Sequence, residues 1–224
     1  MFCQILAVIL SIVDYFTEGI FLKITHGKLK FISFSAGVSV SYIFLVLLPE
    51  VYKGALEVHK LLFLSVLFGF ATFHLIEKFI HQRFHGQQLR IEHVIIHSSV
   101  SFVYFFVVGF VLVKLAEDSV AGALLLFVPL TLHIIIDSLP RRVADNKRVR
   151  IFSASAATLG ALLATLAEFG LAGDTVMLGL IGGGLLYQVV RESLPREREG
   201  KPMFFITGIL SFTVVVLLLW NVGV

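Results

Sequence analysis

One cysteine, Cys3, in 224 residues leaves nothing to pair in a disulfide and no cysteine-ligated metal cluster. Five prolines among 18 glycines exclude a collagen-like or proline-rich chain. Charge is the scarcest commodity. Only 15% of the residues are Asp, Glu, Lys or Arg, where a soluble domain uses about a quarter to solvate its surface. Catalytic signatures are missing as well: there is no phosphate-cradling loop, no Gly-x-Ser-x-Gly elbow and no His-Glu-x-x-His. His97 and Ser98 are adjacent, and neighbouring helical residues point in different directions, so they do not form a nucleophile and base. An enzyme is not expected.

What fills the chain instead is apolar: 58% hydrophobic residues, 22 of them Phe, with a mean hydropathy of +0.95. An integral membrane protein is the expectation, with the lipid bilayer as its main partner. The net charge of +3 then concerns topology, because in a membrane chain the position of each Lys and Arg matters more than their sum. No nucleic-acid partner is implied.

About 20 apolar residues cross a bilayer as a helix. Cutting the chain at clusters of charge, Pro and Gly yields eight candidate spans, at 2–22, 30–51, 60–80, 93–115, 119–139, 150–168, 175–191 and 202–222. None alternates as a barrel strand does, so the predicted fold is an all-α, polytopic membrane protein, a single transmembrane domain over 1–224. The first span lacks a basic leader and a small-residue cleavage site, so it reads as a retained helix.

The basic residues sort by loop. Lys23, Lys28 and Lys30; Lys78, Arg83 and Arg90; Arg141, Arg142, Lys147, Arg148 and Arg150; and Arg191, Arg196, Arg198 and Lys201 fall on one side, against Lys53, Lys60 and Lys114 on the other. The positive-inside rule then predicts multi-pass integration with both termini outside the cytoplasm.

The second and seventh spans share a pattern. Gly37 stands twelve residues before Pro49 and Gly183 twelve before Pro195, each proline following a Leu and expected to end its helix. On the eight-span topology these ends face opposite sides of the membrane, the mark of an inverted repeat of spans one to three and six to eight around spans four and five. Such a repeat points to a transporter with its site in the central pair.

Those central spans carry ligand-type side chains four apart: His93 and His97 in the fourth, His133 and Asp137 in the fifth. Imidazole nitrogen and carboxylate oxygen suit Zn²⁺ and, less selectively, Fe²⁺, Mn²⁺ or Co²⁺. The stretch from His74 to His97 also contains His81 and His85, with residues 81–92 expected as a His-containing cytoplasmic loop. Asp14 and Glu18 lie in the first span. Glu18 is close enough to Lys23 to be interfacial, whereas Asp14 is deeper and is a weaker candidate for the site together with His93. The Gly182-Gly183-Gly184 run inside the seventh span suits close helix contact.

Several motifs in order across residues 30–220 resemble the ZIP family of zinc and iron permeases: Ser35-Ala36-Gly37 through Leu47-Leu48-Pro49-Glu50, Ser153 through Ala161, and Gly184 through Tyr187 with Leu194-Pro195. The resemblance implies eight helices, alternating access and a metal site between the fourth and fifth. It also implies a divalent cation, zinc first, as transported substrate, with no resident cofactor, and it allows a homodimer. Matched residue by residue, it leaves His97, His133 and Asp137 as ligands. Ser101, Ile134 and Ala157 stand where the family carries acids, Phe102 where it carries Gly, and Ile136 and Thr158 where it carries Pro. The expected function is a ZIP-like divalent-cation transporter working towards the cytoplasm. The alternative is a non-transporting ZIP-like membrane scaffold or metal sensor that has lost part of the site.

Overall fold

The computed structural model describes residues 2–20, 27–83, 86–137, 147–167, 169–190 and 201–221. All of the regular structure among these described residues is helical. α1 is Phe2–Ile20, α2 is Lys28–Glu57, α3 is Leu64–Arg83 after a 3₁₀ turn at Lys60–Phe63, and α4 is Gly86–Asp118. α5 is Val120–Asp137, α6 is Lys147–Leu166, α7 is Gly170–Gln188 and α8 is Pro202–Asn221.

The chain is an integral membrane protein. The outer faces of its helices present side chains such as Phe68, Leu166 and Met203, which are 67%, 77% and 74% exposed. Water would penalise such a surface, whereas acyl chains solvate it. The expectation of eight spanning helices is corrected. Among the described residues four helices are long and apolar enough to cross a membrane: Lys28–Glu57, Ser99–Asp118, Gly170–Gln188 and Pro202–Asn221. The apolar helices Gln4–Thr17, Lys60–Ile76, Val120–Ile135 and Ile151–Leu166 are shorter. At 1.5 Å per residue such runs fall short of a hydrocarbon core of about 30 Å. Cutting the sequence at charges had counted polar helix ends as membrane-spanning length, and the eight-span inverted repeat built on that count does not stand.

Pro49 is a second correction. It does not stop α2, which continues to Glu57. A π turn at Ile43–Leu47 precedes the proline, and the Leu48 N–H donates to the carbonyl of Ile43, five residues back. Proline brings no N–H and its ring presses on the preceding turn; widening that turn lets the helix carry on. In α7 a π turn also begins at Val189, six residues before Pro195, as Ile43 lies six before Pro49.

Helices α2 and α8 run parallel. The Lys201 N–H donates to Ser33 Oγ at 3.1 Å at one end, and Tyr42 meets Phe212 edge-on further along. Between these points a Cβ on Gly37 would overlap the Phe205 carbonyl oxygen, and one on Gly208 would overlap that of Phe34. The parallel pair α3 and α7 repeats this contact. Gly183 lies against the Val66 carbonyl and Gly69 against that of Leu180, and each glycine stands three residues after the residue of its own helix whose carbonyl the facing glycine meets. Between the pairs, Gly54 meets Thr175 and Leu47 meets Gly182, so α2 and α7 are antiparallel. Helix α4 lies along α6, with Phe102 stacked on Phe152 at 4.3 Å and Gly109 and Gly160 against the backbones of Ala157 and Phe106.

The buried centre holds Tyr42, Leu47, Phe110, Leu126, Leu130, Ile134, Ile181 and Leu185. Replacing Gly37 by Ala forces a methyl into a carbonyl oxygen, and the expected cost is about 1–3 kcal/mol. Gly122, where an added Cβ would meet only Ser119 at 3.6 Å, is the control. Thermal unfolding in detergent should show Gly37→Ala melting well below wild type and Gly122→Ala at or above it.

Candidate functional site

Polar side chains inside a lipid-embedded bundle need partners, because hydrocarbon offers none. Most of the hydroxyls here bond to their own helix. Ser41 donates to the Gly37 carbonyl, Thr131 to Phe127, Thr175 to Leu171 and Thr207 to Met203, at 2.7–3.0 Å. Thr17 likewise donates to Val13. Such back-bonding satisfies the hydroxyl without calling on a second helix.

A smaller group reaches between helices. The Ser11 and Thr158 hydroxyls, on α1 and α6, share a hydrogen bond of 2.7 Å. Asp14 stands one turn from Ser11, so it lies on the α6 side of α1, and it is half-buried. A carboxylate in this setting is costly unless it has partners.

Of the expected metal ligands, His133 is placed in full. It lies on α5 and is 1% exposed, and α5 packs against α1, α2 and α4. His93 and His97 fall on α4 and Asp137 closes α5, but the side chains of all three, and of Glu18, lie outside the described residues. Among the described residues no three His, Cys, Asp or Glu side chains come together as a group able to hold a metal ion. Ser101, Ile134 and Ala157, the positions without the family's acids, are all buried.

Other polar groups emerge that the sequence pattern did not single out. Ser35 on α2, Tyr104 on α4 and Gln188 on α7 are 0%, 4% and 6% exposed. Ser35 Oγ, the Tyr104 hydroxyl and Gln188 Oε1 have no hydrogen-bond partner among the described residues. Each orphaned atom costs about 1–3 kcal/mol. Gln188 immediately precedes the π turn at Val189, and Tyr42 immediately precedes the one at Ile43. A Tyr or Gln in an apolar run is the only trace such a site leaves in sequence. At the opposite end of α4, Lys114 pairs with Glu117 at 3.0 Å. Asp174 of α7 sits within electrostatic reach of Lys114, Glu117 and Asp118. The antiparallel packing of α4 on α7, with Phe110 against Phe169 at 5.3 Å, brings these charges to one end of the bundle.

The Ser11–Thr158 bond makes a measurable claim. Ser11→Ala and Thr158→Val should each lower stability by about 0.5–1.5 kcal/mol, the range for hydroxyl bonds between membrane helices. The double variant should lose little more than either single one, as a double-mutant cycle of detergent unfolding would reveal.

In comparisons with known proteins, no family model matches the chain and no curated protein matches it.

Proposed function

We propose that the chain is a ZIP-like transporter that passes a divalent cation, zinc first, towards the cytoplasm. The observation that carries this reading is His133. An ionisable ring buried to 1% exposure in an apolar helix of a membrane bundle is costly to keep, and such residues commonly mark a substrate path. His97 and Asp137, on the helices flanking the same connected region of sequence, complete the proposed ligand set, with His93 and Asp14 as further contributors. Neutral imidazole and a carboxylate bind Zn²⁺, and a set of two or three exchangeable ligands suits release better than a closed structural site. The protein acts on the ion without breaking a covalent bond, and it holds no resident cofactor.

The matched Gly contacts of α2 with α8 and of α3 with α7 support alternating access. Two tightly seated pairs can shift as bodies against the rest of the bundle. A second copy is allowed as partner in a homodimer.

The alternative, a non-transporting scaffold or sensor, draws on Ser101, Ile134 and Ala157, which are buried without an acid among them. Flux through purified protein in liposomes separates the two. Transport of Zn²⁺, competed by Fe²⁺, Mn²⁺ or Co²⁺, should fall at least about tenfold in His133→Ala and in His97→Ala, the scale that loss of a metal site's supporting partner already costs. Absence of flux in wild type leaves the scaffold. Flux equal in both variants removes the assigned ligands, and flux indifferent to Zn²⁺ assigns another solute.

A further inference from the structure

Tyr104 and Gln188 lie along one seam between α4 and α7. A Cβ on Gly184 would lie 3.1 Å from Tyr104 Cε2 and 2.8 Å from Phe73 Cε2, so the glycine seats the phenol against the α7 backbone. Gln188 stands one turn beyond Gly184 on the same face of α7. Helical side chains lean towards the N-terminus of their own helix. Because α4 and α7 are antiparallel, the Cα–Cβ bonds of Tyr104 and Gln188 tilt towards one another along the seam. Both groups are more than nine-tenths buried, and the Tyr104 hydroxyl and Gln188 Oε1 have no hydrogen-bond partner among the described residues. Phe73 of α3 borders the place, its ring centroid 5.4 Å from that of Tyr104 and 6.4 Å from that of Tyr187 on α7.

We infer that Tyr104 and Gln188 form an internal hydration site between α4 and α7, whose ligand is water. The chemistry selects this ligand. A phenol and a primary amide each donate and accept, carry no charge and offer no carboxylate or imidazole, so they match a molecule that also donates and accepts. A bare divalent cation would find only weak neutral oxygens here. The site neighbours the π turn at Val189, and π turns inside α-helices recur at functional positions. It is distinct from the proposed His97, His133 and Asp137 ligand set and stands whether or not the chain transports metal.

Hydroxyl-radical footprinting by X-ray radiolysis, on the full chain in liposomes, reads internal water directly. Tyr104 should be oxidised several-fold faster than Phe110, which is 1% exposed on the same helix, and at a rate approaching that of exposed Tyr52. Tyr104 as inert as Phe110 overturns the site. Tyr104→Phe supplies a second measurement that needs no radical chemistry. Loss of a hydroxyl that bonds to water lowers the thermal midpoint, whereas loss of a dry, unbonded hydroxyl raises it, and a raised midpoint likewise overturns the proposal.

Discussion

Two helices in lipid gain little from burying apolar side chains against each other, since the acyl chains they displace are equally apolar. What remains is dispersion at short range, and that requires the backbones to come together. Gly37, Gly208, Gly69 and Gly183 permit this approach, each resting on a carbonyl of the facing helix. The seating of the aromatic rings between these helices depends on it. The positions of Tyr42 against Phe212, of Phe73 against Tyr187 and of Tyr104 against Gly184 follow from how closely these helices are drawn in.

Polar groups in this chain divide by how they are satisfied. Ser41, Thr131, Thr175 and Thr207 return their hydrogen bonds to their own helices and can sit anywhere in the bilayer at small cost. Ser11 and Thr158 spend theirs on holding α1 to α6. The Tyr104 hydroxyl, Gln188 Oε1 and Ser35 Oγ have no hydrogen-bond partner among the described residues. Such atoms in a low-dielectric interior serve something other than packing, and they lie on α4, α7 and α2, with α7 packed against both of the others.

The membrane setting was legible in composition, because so few charges poorly solvate a soluble surface, and the helical class in the absence of barrel-strand alternation. Gly183 was legible as a contact point, as part of the Gly182–Gly184 run; Gly37 was read only as part of a repeat pattern that does not stand, and its contact with α8 went unseen. The number of spans was not legible. Charge clusters mark where a helix leaves lipid only when the apolar run between them is full length, and stretches such as Val120–Ile135 are not. Nor was the fate of Pro49, since proline breaks an α-turn but tolerates the wider π turn that the sequence does not announce. The hydration centre escaped because Tyr104 and Gln188 are 84 positions apart in the chain and no spacing rule links residues on different helices. Of the histidine site, His133 could be placed in the bundle, while the geometry of its proposed partners falls on side chains outside the described residues.

The π turn in α2 also changes what one helix can do. An inserted residue advances the helical phase by about 100°, so the stretch before Ile43 and the stretch after Leu47 point their contact stripes in different directions. The first half, through Ser33, Gly37 and Tyr42, addresses α8. The second, through Leu47 and Gly54, addresses α7. A straight α-helix would have to carry both stripes on a single azimuth or abandon one neighbour, whereas α2 acts as a crankshaft that couples two otherwise separate helix pairs through one continuous backbone.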